Sequence, residues 1–336
     1  MAPATQAQNS SGTQNSSGTM SGRRSALLLM GPTGAGKSEL ALELARRFPF
    51  EIVSVDSAQV YRGMDIGTAK PDLETRARIP HHLIDIRDPE TSYSAGEFVR
   101  DASAVMREIW SRGRQPLLVG GTMLYFHALL GGIAQLPEAD PEVRAEIEAR
   151  AAAGGWGALH EELRRADPAA AARIHVNDPQ RIQRALEVYR VTGETITRLQ
   201  ESAAPAFADL EVLEFALSPE DRAILHARIA TRFEAMWAAG FLDEVQRLQQ
   251  RPTLSAEHPS MRAVGYRQLW KFLSGHSGLE DSKKQALAAT RQLAKRQLTW
   301  LRRRQCATWV DSAQTDPMSA VVHALSAGGF AGWSYA

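Results

Sequence analysis

The chain has 336 residues, 44% of them hydrophobic, which is enough for one large or two ordinary domains with a buried core. Its 39 Lys and Arg nearly balance 38 Asp and Glu, so the net charge of +1 excludes a strong overall attraction to polyanions. The single cysteine, Cys306, excludes an internal disulfide and a multi-cysteine zinc site. We find no long apolar span and no signal-peptide pattern, and therefore expect a cytoplasmic protein.

The N-terminal segment is polar and repetitive. Residues 1–23 contain QNSSGT twice in tandem and are rich in Gly and Ser. Such a composition cannot bury enough surface to offset its ordering entropy. We expect a disordered tail.

The first folding signal is an apolar run followed by a glycine-rich loop. The string GPTGAGKS at 31–38 matches G-x-x-x-x-G-K-[ST] and lies between the strand-like ALLLM and the helical pattern SELALELARRF. In such a loop the backbone N–H groups and the helix N-terminus bind phosphates, Lys37 neutralises their charge and the Ser38 hydroxyl ligates Mg²⁺. A plain strand-to-helix turn is the alternative. We assign diphosphate or nucleotide binding to Gly31, Pro32, Thr33, Gly34, Ala35, Gly36, Lys37 and Ser38.

Two further apolar runs end in polar residues. EIVSV ends at Asp56, and PLLVG is followed by Gly121 and Thr122. Strands alternating with helices predict an α/β fold with a parallel, P-loop NTPase-like sheet flanked by helices, in which Asp56, Thr122 and Lys37 converge at the carboxyl edge. A P-loop phosphotransferase usually carries an acidic residue at the end of its Walker B strand. Here the strand ends in Gly-Gly-Thr, and the carboxylate is at Asp56.

The middle of the chain predicts an inserted all-helical domain. Asp-Pro occurs at 140–141, 167–168 and 178–179, and each pair is typical of a helix N-cap and first position. EVLEFALS then returns to strand character, and Ser218-Pro219 predicts the start of a long helix. We divide the chain into a first core part at 24–137, a helical insertion at 138–205, a second core part at 206–316 and a C-terminal segment at 317–336.

A basic helix is predicted near the end of the second core part. Residues 283–305 place Lys284, Arg291, Lys295 and Arg302 along one flank of an apolar seam, and no acidic residue occurs from 282 to 310. A contact with a nucleic-acid backbone and an ordinary solvated face are the two interpretations.

Six ordered blocks resemble a known family. GPTGAGKS, VDSAQVYRGMDIGTAKP, LLVGGTMLYFHALL, NDPQRIQRALEV, PSMRAVGYRQLW and ATRQLAKRQLTWLR together look like tRNA dimethylallyltransferase, also called tRNA isopentenyl transferase, across residues 26–311. The chain ends without the Cys/His zinc module of eukaryotic members and so resembles the bacterial form. The resemblance implies transfer of the dimethylallyl group from dimethylallyl diphosphate to the N6 amine of adenosine at tRNA position 37, with release of pyrophosphate.

The resemblance also implies catalytic roles. Asp56 matches the general base, Thr122 a residue that contacts substrate at the reaction centre, and Arg232 a ligand of the pyrophosphate. A Mg²⁺ ligand or N-cap for Asp56, a turn cap for Thr122 and a surface salt bridge for Arg232 are the alternatives. Arg228 lies on the same predicted helix face, so the sequence leaves open which arginine points inward.

A larger set is expected to face tRNA, with the target adenosine flipped out of the anticodon loop. By resemblance these residues are Asp56, Ser57, Ala58, Gln59, Thr122, Arg144, Gln180, Arg181, Ile182, Gln183, Arg184, Arg262, Ala263, Val264, Gly265, Tyr266, Arg267, Lys295, Arg296, Gln297, Trp300 and Arg302. Tyr61, Tyr266 and Trp270 could stack on bases or belong to the core. His81 and His82 lack further ligands at metal spacing and are interpreted as structural.

Three other functions remain open at this point. A P-loop small-molecule kinase would need ATP, a noncatalytic RNA-binding NTPase would leave Asp56 and Thr122 without a task, and an adenylate isopentenyltransferase would modify free nucleotides. The expected cofactor is Mg²⁺, and the expected partners are dimethylallyl diphosphate and a tRNA anticodon stem–loop. We expect no association with a membrane, and we expect a monomer.

Overall fold

The computed structural model describes residues 24–134, 136–313 and 316–327. The expected disordered tail at 1–23 lies outside these residues, as does the end of the C-terminal segment. The elements in chain order are β1 Ser25–Met30, α1 Lys37–Arg47, β2 Phe50–Val55, α2 Leu73–Arg78, β3 His81–His82, α3 Ala95–Ser111, β4 Gln115–Gly120, α4 Met123–Gly131, α5 Pro141–Ala166, α6 Pro168–Arg173, α7 Pro179–Thr192, α8 Ile196–Glu201, β5 Glu211–Leu217, α9 Arg222–Ala238, α10 Phe241–Gln249, a 3₁₀ turn at Pro259–Arg262, α11 Tyr266–Leu273, α12 Leu279–Leu301, β6 Thr308–Val310 and α13 Pro317–Ala327.

The six described strands form one parallel sheet in the order β3-β2-β4-β1-β5-β6. In the central strand β1 every residue is buried, as expected for a parallel strand covered on both faces. One apolar cluster packs α3, α4 and α10 to α12 on one face, and a second packs α1 and α13 on the other. The predicted α/β fold with a parallel sheet is confirmed.

Helix starts in the insertion follow the predicted capping pattern. Asp140, Asp167 and Asp178 each accept backbone N–H bonds at the start of α5, α6 and α7, with proline at the first helical positions. Gly155, at φ 76° and ψ 161°, breaks α5 into two helical pieces. These four helices, α5 to α8, have an apolar cluster of their own that includes Ile147 and Leu163.

Three local predictions differ from the structure. The helix expected to start at Ser218-Pro219 begins at Arg222 with Asp221 as its N-cap. Ser218 instead extends the strand pairing, because its N–H donates to the Val310 carbonyl oxygen. Strands β3 and β6 were not predicted, since two and three residues are too few for an alternating pattern.

Candidate active site

The phosphate-type loop connects β1 to α1 at the carboxyl edge of the sheet. Gly34 and Gly36 adopt φ of 81° and 91°, in the left-handed region that favours glycine. Gly36 is the N-cap of α1 and provides no side-chain bond, so no cap covers the first turn. Gly31 lies close to the end of the neighbouring strand β5, because a Cβ at this position would lie 2.4 Å from the Leu217 carbonyl oxygen. The loop thus presents a helix N-terminus to a bound anion.

Lys37 is held over this loop in a strongly cationic setting. Its Nζ donates to the Pro32 carbonyl oxygen at 2.8 Å. Burial, and after it the positive charge of Arg232, lowers the pKa of Lys37 to about 8, while Asp56 and Glu39 act in the opposite direction. A bound anion would offset both the burial of Lys37 and the neighbouring charge of Arg232.

Arg232 is the inward arginine of α9. Its Nε is buried and has no hydrogen-bond partner within the described residues, and its Nη2 reaches the Thr68 carbonyl oxygen only at 3.5 Å. Burial lowers the pKa of Arg232, and Asp56 partly offsets that effect. Arg228 lies one turn earlier and already binds Ser312. Its guanidinium donates to the Ser312 hydroxyl oxygen at 2.9 Å and to the Ser312 carbonyl oxygen at 3.0 Å. The structure therefore distinguishes two arginines that the sequence leaves equivalent.

Asp56 directly follows β2. Its Oδ1 accepts the N–H groups of Ala58 and Gln59 at 2.8 and 3.3 Å, which fixes the carboxyl plane. Its Oδ2 accepts no hydrogen bond from the part of the chain that the structure describes. One oxygen caps a turn rather than the helix N-terminus that the alternative interpretation proposed, because residues 57–60 form a turn and not a helix.

Thr122 follows β4 and lies beside the Asp56 turn. Its N–H donates to the Val55 carbonyl oxygen at 3.2 Å, and its Oγ1 accepts the Ser57 N–H at 3.0 Å. The hydroxyl makes no cap bond to its own helix, α4. Its bond to the Ser57 N–H instead caps the turn after Asp56, which agrees with the alternative interpretation of Thr122 as a turn cap. The two strand ends approach this closely because Gly120 lacks a side chain; a Cβ there would lie 2.0 Å from the Val55 carbonyl oxygen.

A main cavity of about 1300 Å³ opens at this edge of the sheet. Its walls include the loop residues from Gly34 to Ser38, the two arginines Arg228 and Arg232, and the segment 69–76. The charge contacts among Lys37, Arg232 and Asp56 place the carboxylate beside the two cations. Asp56 and Thr122 are not part of the cavity wall, but Asp56 lies near enough to affect the pKa values of Lys37 and Arg232, and Thr122 joins the Asp56 turn through Ser57.

No ready-made metal site occurs in the described residues. No three or more His, Cys, Asp or Glu side chains cluster there, and His82 pairs with Glu51 while His81 contacts the Ile79 carbonyl oxygen. The Ser38 hydroxyl, exposed in the first turn of α1, is a suitable single ligand for Mg²⁺. The remaining ligands would be diphosphate oxygens and water, which is usual for this ion.

The basic helix α12 has an outward edge and an inward residue. Lys295, Arg296, Trp300 and Arg302 are exposed. Gln297, in contrast, accepts the Thr33 N–H at 3.0 Å and donates to the Gly121 carbonyl oxygen at 2.9 Å. Its half-buried side chain joins the phosphate-type loop to the corner after β4, and its expected contact with tRNA stays a prediction.

Residues expected to face tRNA in the insertion divide into two groups. Gln180 and Arg181 are exposed at the start of α7. Ile182 is fully buried in the insertion core, so its expected tRNA contact is wrong. Arg144 and Arg184 both bind the buried Glu187. Burial alone would raise the pKa of the Glu187 carboxyl, but the bonds from the two arginines hold that pKa below its ordinary value. Gln183 donates to Glu148.

The segment after the 3₁₀ turn also differs from expectation. Arg262 and Arg267 are exposed, but Tyr266 has no exposed surface and its hydroxyl donates to Glu244 at 2.5 Å. Ala263 packs against the core, and Val264 and Gly265 line an inner cavity. Tyr61 and Trp270 are buried as well. The three aromatic side chains belong to the core rather than to a base-stacking surface.

Two supporting residues were missed from the sequence. Glu244 accepts the N–H groups of Asp65, Ile66 and Gly67 at 2.7 to 3.1 Å, which fixes the loop opposite the phosphate-type loop. Lys70, almost fully buried, binds Asp65 and Asp85. The sequence offers a signal for Lys70, because a lysine and two aspartates occur within one loop-rich segment. No local sequence pattern indicates the role of Glu244.

Parallel strands that end in such a loop, at the N-terminus of a helix, hold di- and triphosphates. By fold and site the chain is therefore a P-loop protein. An acidic residue at the Asp56 turn, rather than after β4, separates it from ordinary phosphotransferases.

Comparison with known proteins identifies the branch. The family model described as IPP transferase matches residues 59–304, and that described as isopentenyl transferase matches residues 24–82. A protein named tRNA dimethylallyltransferase from Nitrosococcus oceani is 57% identical over 294 residues, covering 88% of this chain and 94% of that protein.

Solved structures agree with this family. The tRNA isopentenylpyrophosphate transferase of Bacillus halodurans superposes with a TM-score of 0.66 at 36% identity, covering 91% of this chain and 96% of that one. A eukaryotic dimethylallyltransferase described as acting on tRNA gives a TM-score of 0.77 at 25% identity, covering 92% of this chain and 79% of that one. The chain belongs to the IPP transferase family, the tRNA dimethylallyltransferases.

Proposed function

We propose that this protein transfers the dimethylallyl group of dimethylallyl diphosphate to the N6 amine of adenosine at tRNA position 37, and releases pyrophosphate. The observation that carries the proposal is the half-buried pair of cations Lys37 and Arg232, in which Arg232 Nε has no hydrogen-bond partner among the described residues. The charge of Asp56 acts on both cations, and Asp56 Oδ2 accepts no hydrogen bond from those residues. Family membership supplies the substrate class, because the relatives are named for tRNA and for this prenyl group.

The cations fit a leaving group. As the bond between C1 of the prenyl group and the diphosphate oxygen breaks, its electron pair leaves with the diphosphate, whose negative charge is greatest at the transition state. Lys37 and Arg232 stabilise that charge. Mg²⁺, held in part by Ser38, would supply further neutralisation when bound.

Asp56 fits the base. The adenine amine is a weak nucleophile because its lone pair is delocalised into the ring, so its proton must be removed as the N6–C1 bond forms. Asp56 Oδ2 accepts that proton while Oδ1 remains bound to Ala58 and Gln59. The Thr122 hydroxyl oxygen accepts the Ser57 N–H at 3.0 Å, and its hydrogen donates only a long bond of 3.4 Å to Ser57 Oγ. That hydrogen can turn from Ser57 to a substrate atom at the same corner.

The acceptor is proposed to be a structured RNA. The exposed basic residues of α12 and the exposed N-terminus of α7 suit a polymer backbone better than a free nucleotide. No helix among the described residues is long and apolar enough to cross a membrane. Action in the cytoplasm follows from the proposed tRNA substrate, and the monomer expected from the sequence stays a prediction.

The acceptor is tested by offering two substrates in one assay. The protein is mixed with dimethylallyl diphosphate, Mg²⁺, and either an anticodon stem–loop or free AMP, and the products are weighed by mass spectrometry. We expect one prenyl group on the adenosine 3′ of the anticodon. A stem–loop in which that adenosine is replaced by guanosine is the control. Modification of AMP but not of the stem–loop would contradict the proposal.

A further inference from the structure

A second, smaller cavity adjoins the proposed diphosphate site. It has a volume of about 80 Å³, and Arg232 and Met236 belong to its wall as well as to that of the main cavity. We call it the inner cavity. Its apolar wall consists of Ile229, Phe233, Met236, Phe241, Val264 and Leu293.

Three polar groups around the inner cavity already have a hydrogen-bond partner. The Thr33 N–H donates to Gln297, the Thr290 hydroxyl donates to the Ala286 carbonyl oxygen, and the Gly265 N–H donates to Gln268. Within the described residues, Arg232 is the lining side chain with a buried, unpartnered polar atom. A ligand in this cavity therefore meets an apolar wall with one cationic group at the boundary to the main cavity.

Phe241 forms a rigid part of this wall. Its ring is almost fully buried and packs edge-on against Tyr266, with ring centroids 5.0 Å apart. The ring fills the space where two glycines have no side chain, because a Cβ would lie 2.1 Å from it at Gly67 and 2.9 Å from it at Gly265. The ring therefore cannot shift toward either loop, and the cavity has a fixed size on this side.

The size of the inner cavity selects a short chain. One water-sized group takes about 10–15 Å³ of such a volume, so the cavity accepts roughly five to eight heavy atoms. A five-carbon prenyl group fits, whereas a ten-carbon one does not. The mostly apolar wall also suits a hydrocarbon chain.

We propose that the inner cavity binds the five-carbon chain of the donor and that Phe241 limits the chain length. The inference rests on the proposed function, since it takes the diphosphate to lie against Lys37 and Arg232. The phosphate-type loop can bind only the diphosphate of the donor, so the five-carbon chain needs a site of its own. In this proposal, wall residues from α9, α10 and α12 determine which donor is accepted.

The first test fills the inner cavity. Leu293→Phe adds bulk inside it, and Leu287→Phe makes the same change on the same helix at a partly buried residue that lines neither cavity. We measure KM for dimethylallyl diphosphate and the inhibition constant of inorganic pyrophosphate, which has no chain. Leu293→Phe is expected to raise KM at least tenfold while the inhibition constant changes less than threefold. Leu287→Phe is expected to leave both near the wild-type values.

The second test enlarges the cavity. Phe241→Leu, or Met236→Ala if the first variant does not fold, is assayed with dimethylallyl and geranyl diphosphate. We expect the ratio of kcat/KM for the ten-carbon donor over the five-carbon donor to rise at least tenfold. Circular dichroism and thermal unfolding identify variants that do not fold.

The outcomes separate the two proposals. If the wild-type protein modifies no RNA, the proposed function fails. If it modifies RNA but Leu293→Phe weakens donor and pyrophosphate equally, or weakens neither, the inner cavity does not hold the chain. An unchanged donor ratio in the folded enlarging variant would overturn the chain-length role of Phe241.

Discussion

At the scale of single residues, Asp56 carries the most specific chemistry. Its fixed Oδ1 and free Oδ2 predict that Asp56→Asn keeps the turn but cannot accept the adenine proton. We expect kcat to fall by about 10²–10⁴-fold. RNA affinity, measured by filter binding, should change little. Normal kcat with weakened RNA binding would show that Asp56 contacts RNA and is not the base.

Arg232 and Arg228 provide a matched pair on one helix face. Arg232→Gln removes a guanidinium whose buried Nε has no partner among the described residues, while Arg228→Gln removes one that already binds Ser312. Loss of one transition-state donor typically costs about 10²–10³ in kcat. We expect a loss of that size for Arg232→Gln, with a raised inhibition constant for pyrophosphate, and less than about fivefold for Arg228→Gln. Equal losses would contradict the distinction.

The loop lysine predicts a pH dependence. Burial is the main cause that lowers the pKa of Lys37 to about 8 in the free protein. A bound diphosphate favours the protonated amine, so binding takes up a proton above that pH. Pyrophosphate affinity, corrected for the titration of pyrophosphate itself, should be level below pH 8 and fall by up to tenfold per pH unit above it. Lys37→Met should abolish this break; a wild-type profile without it would contradict the assignment.

Some of these residues could be predicted from sequence and some could not. Asp56 and Thr122 follow apolar strands, and parallel strands bring their carboxyl ends together. The choice between Arg228 and Arg232 depends on Ser312, which is 84 residues away from Arg228. The inward turn of Gln297 likewise depends on Thr33, 264 residues earlier. Such contacts are tertiary, and no local pattern carries them.

At the scale of elements, the basic edge of α12 predicts a salt effect. Lys295 is exposed, and no ion pair of its side chain is present in the described residues, whereas Lys283 on the same helix binds Glu280 and lies over the Trp237 ring. If Lys295 contacts an RNA phosphate, Lys295→Ala should weaken binding and reduce the slope of log affinity against log salt by about one ion. Lys283→Ala is the control and should keep the slope. An unchanged slope for Lys295→Ala would reject the contact.

Elements with strong local signals were predictable. The Asp-Pro caps of α5 to α7 and the glycine-rich turn before α1 are confirmed. The start of α9 was placed too early, because the bond from Ser218 to Val310 belongs to a strand pairing that is remote in sequence. Strand β3 is two residues long and depends on β2 for its conformation.

At the scale of the whole molecule, one parallel sheet brings the site together and a separate helical unit stands beside it. The insertion packs its own core, and Glu187 ties Arg144 and Arg184 within it. The sequence predicts this arrangement because apolar strands alternate with helices before residue 131 and are absent from 141 to 201. The division of the chain at 137 and 205 stays a prediction.

The central claim is that the phosphates held by the loop are a leaving group. The most direct measurement is the product balance of a reaction with anticodon stem–loop, dimethylallyl diphosphate and Mg²⁺, with prenylated adenosine, pyrophosphate and orthophosphate counted together. The account predicts one pyrophosphate for each modified adenosine, no orthophosphate, and no requirement for ATP. Phosphate transferred from ATP to the acceptor, or orthophosphate released in step with turnover, would contradict it.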